Sequence, residues 1–119
     1  DWGAWEGRGP ADLRADPGPD GAAFRAAEAR GLDLRPPGGE SPRDVQARLR
    51  PWLRALARAG TPSLGITHKG VIRALYALAT GWDMTGDPPH KLRDACAHRF
   101  ALAGDGALRL VALNLPLAP

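Results

Sequence analysis

The chain has 119 residues and a formal net charge of +3, from 16 lysines and arginines against 13 acidic residues, which suits one small domain with its own core. The cations are nearly all arginine, lie scattered among acidic residues and alternate with no aromatics, which argues against nucleic acid as a partner. No run approaches the ~20 apolar residues of a membrane span, no signal peptide is visible, and the lone Cys96 leaves no internal disulfide and points to a reducing, cytoplasmic compartment.

The chain opens Asp1-Trp2-Gly3 with no initiator methionine, so sequence upstream is expected. Residues 1–20 hold two tryptophans among glycines and prolines and keep no helix or strand period. A short helix from Pro10 to Arg14 is expected, with proline at its first position. Trp2 and Trp5 read as packing anchors. Residues 21–30 are Ala-rich and suit a short helix stopped by Gly31. Phe24 is its one large apolar group, so weak docking is expected. Pro36-Pro37-Gly38-Gly39 then forms a loop.

Ser41-Pro42-Arg43-Asp44 is a helix start: an N-cap, a proline in first position and an acid at the positive end of the dipole. Val45, Leu49, Trp52, Leu53 and Leu56 recur at spacings of three and four, on one face. One bent helix over 42–59 is predicted, kinked near Pro51 and ended by Gly60.

Leu64 to Thr67 is a short apolar run that reads as a buried strand. It ends at His68, passes Lys69-Gly70 and enters a helical pattern over 71–80, with Val71, Ile72, Leu75 and Leu78 as the packing face and Gly81 as the stop. The first N–H groups of such a helix have no intrahelical partner and carry partial positive charge. They favour an anion, phosphate above all. Gly70 lets the backbone come close, and Lys69 and Arg73 add charge nearby. Two readings of His68 stand open: a ring facing bound phosphate, or a core ring satisfied by a carbonyl.

Residues 82–97 read as an irregular connection with a short turn after Pro89. His90 and His98 lie on polar segments and suit surface or supporting roles. The three histidines lack zinc spacing, so no metal or other cofactor is expected. Residues 98–103 and 107–114 alternate around Gly104-Asp105-Gly106, which predicts a hairpin with Phe100 and Leu102 facing Leu108 and Leu110. Leu115 to Pro119 reads as a tail, with Pro116 stopping strand pairing. Helix, strand, helix and hairpin suggest an α/β sandwich with helices on a mixed sheet.

Taken in order, Trp2-Gly3-Ala4-Trp5-Glu6-Gly7, Gly39-Glu40-Ser41 followed by Asp44, Val45 and Arg48, the stretch Ile66 to Arg73 around His68, and the closing Gly-Asp-Gly hairpin resemble the histidine phosphatase superfamily, the phosphoglycerate mutase-like group. The resemblance covers essentially the whole chain. It implies a three-layer α/β sandwich with a mostly parallel sheet, here a partial domain over 1–119 without its first strand. It implies phosphoryl transfer on phosphate monoesters, as phosphatase or mutase, through a phosphohistidine. His68 would be the second pocket histidine, binding phosphate with Lys69 and Gly70. Lys69 departs from the glycine more common there. The family's Arg-His-Gly nucleophile motif, its second phosphate-binding arginine and its general-acid glutamate all lie upstream of the matched stretches and are absent here. Glu6 and Ser41 match family positions, but a structural role for the first and helix capping for the second are expected. The chain alone is therefore expected to be inactive, with a phosphorylated small molecule as its partner. The alternative is a non-catalytic module that binds anions or pairs with a second copy through exposed sheet edges.

Overall fold

The computed structural model describes residues 1–118. Its order is a 3-10 turn at Gly3–Trp5, α1 (Pro10–Ala15), α2 (Pro19–Glu28), a second 3-10 turn at Gly31–Asp33, α3 (Pro42–Ala59), α4 (Lys69–Thr80), β1 (Cys96–Leu102) and β2 (Leu108–Pro116). Among the described residues no helix is long and apolar enough to cross a membrane.

The N-terminal third closes around an aromatic cluster. Trp5 is 1% exposed and Phe24 is 2% exposed, with Leu13 buried between α1 and α2. The Trp5 and Phe24 rings meet edge to face at 5.4 Å, and Trp2 joins both, an arrangement that suits the ring quadrupoles. Phe24 is thus a core residue rather than a weak dock. Its large partners, Trp2, Trp5, Leu13 and Leu34, come from outside α2, which α2 alone could not reveal. The tryptophan stretch is held in turn by the loop before α3. Ala4 N–H donates to the Pro37 carbonyl at 2.8 Å, and a Cβ on Gly3 would stand 2.2 Å from that oxygen. Gly3 has φ of +55°, so both its conformation and its crowding call for glycine.

Helix α3 runs unbroken from Pro42 to Ala59 through Pro51. Ser41 and Asp44 form a reciprocal capping box, Asp44 N–H donating to Ser41 Oγ and Ser41 N–H to the Asp44 carboxylate. Gly60 closes the helix at φ +67°. Val45 packs with Val71 and Ala74 of α4, flanked by Leu49 and Leu75. The buried Gln46 spans the same seam, its Nε2 donating to the Ala74 carbonyl at 3.0 Å. Trp52, expected on the buried face, is 45% exposed, while its neighbour Leu53 is buried at 4%.

The hairpin forms as expected, Phe100 opposite Leu110 and Leu102 opposite Leu108. Gly106 N–H bonds the Ala103 carbonyl at the turn. The ladder runs further than expected: Cys96 pairs with Pro116, the last residue of β2. The expected tail's last residue, Pro119, lies outside the described residues. Register shifts on both sides of Arg99 make an irregularity beside His98. Asn114, at φ +57°, ties the hairpin to the connection before it, accepting from Arg93 N–H at 2.7 Å and donating to the Lys91 carbonyl at 2.8 Å. β2 packs against α4.

Two sequence expectations fail here. Leu64–Thr67 is not a strand, and Leu64 and Ile66 are 85% and 94% exposed. A strand needs a neighbour for its backbone groups, and among the described residues none lies beside this run. For the same reason no parallel sheet forms: the described strands are an antiparallel pair. The fold is α/β in content, with the helices carrying most of the core.

Candidate functional site

The site is built on the first turn of α4. The helix begins at Lys69, two residues before the apolar pattern does, with His68 as its N-cap in extended conformation. The His68 carbonyl accepts from Val71 N–H at 3.1 Å and Ile72 N–H at 3.3 Å. The Lys69 and Gly70 N–H groups have no partner among the described residues, so two donors stand open at the positive end of the helix dipole. The seam with α3 fixes the helix behind this mouth.

The His68 ring lies across that turn. Its Nδ1 and Cε1 both stand 3.3 Å from where a Cβ on Gly70 would be. The ring is exposed. Of the two readings left open by the sequence, the buried core histidine is excluded by this exposure. The Lys69 ammonium reaches away to Asp94, 2.8 Å from its carboxylate. That contact holds the Asp94 carboxyl below its ordinary value, first through the hydrogen bond and then through the charge. What Lys69 leaves at the mouth is its backbone N–H.

A cavity of about 930 Å³ opens beside the mouth. Lys69, Gly70 and Arg73 line it from α4, and Trp2, Arg14 and Phe24 from the N-terminal cluster. His68 is not part of the lining and stands one residue before it. The sequence marked Arg73 only as nearby charge. In the structure it lines the cavity with its guanidinium over the Trp82 ring, 5.1 Å from the centroid. Burial pushes it below its ordinary value, and Arg14 adds to that. Helical spacing from Lys69 places Arg73 on the same stripe, which is the signal that could have included it.

The other matched residues do structural work. Glu6 accepts from Trp2 N–H at 2.6 Å, Glu40 pairs with Arg48 at 3.1 Å, and Ser41 caps α3. Gly39 lies so close to Asp1 and Gly3 that a Cβ would stand 2.6 Å from the Asp1 carbonyl, so the first two matched stretches touch through backbone. His90 supports α4 from outside: its N–H donates to the Tyr76 hydroxyl at 3.2 Å, and its Nδ1 is 3.2 Å from the same oxygen. His98 Nδ1 accepts from Asn114 N–H. Neither ring is among the cavity's lining residues. Among the described residues no three His, Cys, Asp or Glu side chains are grouped as metal ligands would be.

Residues 1–116 match the family model of the histidine phosphatase superfamily (branch 1). No curated protein and no solved structure matches the chain.

Proposed function

Because the chain belongs to the histidine phosphatase superfamily, we propose that it carries the second-histidine half of a site for phosphoryl transfer on phosphate monoesters. The observation that carries this reading is the His68 ring lying across Gly70 beside the open N–H groups of Lys69 and Gly70. A phosphate there would accept from both amides and from the imidazole N–H. As the phosphoryl group moves, negative charge spreads over its oxygens, and donors already in place stabilise it without rearranging. His68 is then a catalytic residue that donates to a phosphate oxygen. The covalent step belongs to another histidine, in the Arg-His-Gly motif that the resemblance implies, and no Arg-His-Gly occurs in these 119 residues. In a complete domain, Leu64–Thr67 would be one strand of the mostly parallel sheet of a three-layer sandwich. Its apolar side chains and unpaired backbone support that reading.

The purified chain is expected to bind inorganic phosphate, measured by calorimetry, and to lose that binding in His68→Ala. It is expected to leave p-nitrophenyl phosphate intact. Phosphate binding unchanged in His68→Ala, or turnover by the chain that this substitution abolishes, would overturn the respective halves of the proposal.

A second reading has its own observation. Leu64 and Ile66 are the most exposed large apolar side chains described, on a run with no backbone partner among the described residues, as a segment that pairs with another chain would be. Light scattering on the eluting protein tests it: a clean monomer at all concentrations counts against a pairing module.

A further inference from the structure

Lys69 belongs to two places at once. Its backbone N–H is open at the α4 mouth and the residue lines the cavity, while its ammonium sits 2.8 Å from the carboxylate of Asp94, 25 positions on and just before β1. The backbone around Asp94 is anchored. Arg93 N–H donates to Asn114 Oδ1 at 2.7 Å, and Asn114 Nδ2 donates to the Lys91 carbonyl at 2.8 Å. The Asp94 side chain is not. It is 83% exposed, and Lys69 is its one hydrogen-bond and ion-pair partner among the described residues. An ion pair so open to water contributes little to stability, so little opposes its exchange for another anion.

A phosphate accepting from the Lys69 and Gly70 amides would lie against the residue whose ammonium Asp94 holds. Near neutral pH it carries more negative charge than one carboxylate, and the closer and larger charge attracts the ammonium more strongly. An ammonium presents three donors on a flexible four-carbon stem, so turning it toward a new anion needs rotation about side-chain bonds and no movement of α4. We propose that Asp94 is an internal competitor for the anion site: it holds the Lys69 ammonium in the unliganded chain, and a bound phosphate draws that ammonium to itself. This deepens the reading of the α4 mouth as a phosphate site and rests on it. Lys69 then gives one ligand two donors, from backbone and side chain, and Asp94 is a positioning residue that sets how tightly the ligand is held. The exchange also gives a role to a lysine that stands where the resemblance expects glycine.

The test is calorimetric binding of inorganic phosphate, at constant ionic strength, to the chain and its variants. Asp94→Asn keeps the shape of the side chain and removes its charge. It is expected to tighten phosphate by about 2- to 5-fold, the scale of an exposed ion pair. Removing any nearby acid would favour an anion to some degree, so Asp87→Asn is the control: Asp87 lines the cavity and has no ion pair among the described residues, and its variant is expected to tighten phosphate less. In a Lys69→Gln background Asp94→Asn is expected to change nothing, because the carboxylate then has no ammonium to hold. Unchanged or weaker binding in Asp94→Asn, tightening no greater than in Asp87→Asn, or tightening that persists without Lys69 overturns this inference and leaves the phosphate site standing. If no variant binds phosphate, both fall together. A second readout follows the carboxylate itself. The Lys69 hydrogen bond, and then its charge, hold the Asp94 carboxyl below its ordinary value, against a small effect of burial and with Lys91 adding to the lowering. Followed by carbon NMR through the acid range, the Asp94 titration is expected to move up toward its ordinary value in saturating phosphate and to stay still in Lys69→Gln. A titration that phosphate leaves unmoved in the unaltered chain overturns the exchange.

Discussion

The His68 ring rests over Gly70, two of its atoms 3.3 Å from where a Cβ on that residue would stand. A methyl there would force the ring to give by a few tenths of an ångström. Gly70→Ala therefore separates stability from function. Alanine favours the helix by up to about 1 kcal/mol over glycine, so the melting temperature is expected to hold or rise. Phosphate affinity is expected to fall by about 3- to 10-fold, read by calorimetry. A fall in both would mean that the glycine serves the fold rather than the ring.

Apolar residues of similar hydropathy are expected to differ sharply in what they contribute. Phe24 fills the aromatic cluster at 2% exposure, while Ile66 is 94% exposed. Phe24→Ala is expected to cost about 3–5 kcal/mol, and Ile66→Ser to stay within about 0.5 kcal/mol. Urea unfolding of the two variants checks both values. A large loss in Ile66→Ser would show that the 61–68 segment is packed in solution.

His98 links the hairpin to pH. Its Nδ1 accepts from Asn114 N–H at 3.2 Å, which requires the unprotonated nitrogen. Burial also pushes the ring below its ordinary value of 6.5. The folded state then holds fewer protons on this group than the unfolded state does. Stability from this source is complete above about pH 6.5, falls as pH drops toward the lowered folded value, and levels off below it. His98→Gln is expected to flatten the pH dependence of stability in that window, read from urea midpoints between neutral and mildly acidic pH. A slope unchanged in the variant would remove His98 as its source.

Elements whose signals lie next to each other in the chain were legible from sequence. Ser41, Pro42, Asp44 and Gly60 mark both ends of α3, and Gly104-Asp105-Gly106 marks the hairpin, because caps and turns are set by local chemistry. The run Leu64–Thr67 shows the opposite. Its pattern states a preference for burial, but a strand also needs a partner, and pattern alone does not supply one. Phe24 was undervalued for a related reason: α2 shows a single large apolar side chain, and Trp2, Trp5 and Leu13 complete its surroundings from elsewhere. Tyr76, fully buried on α4, was hidden by the stronger leucine pattern around it.

At the candidate site, the placement of His68, Lys69 and Gly70 at the start of α4 was legible because a histidine, a lysine and a glycine precede an amphipathic helix. The engagement of Lys69 by Asp94, 25 positions on, was not. Nor was the lack of a hydrogen-bond or ion-pair partner for Arg73 among the described residues, since pairing depends on residues that only the fold brings near.

The phosphate reading is tested most directly by following backbone amide signals of the chain by NMR while inorganic phosphate is added. The Lys69 and Gly70 amides and the His68 ring are expected to shift together along one saturating curve, and in His68→Ala that curve should weaken. Shifts that centre elsewhere, such as on the capped start of α3, or amides of Lys69 and Gly70 that stay still at saturating phosphate, would contradict it.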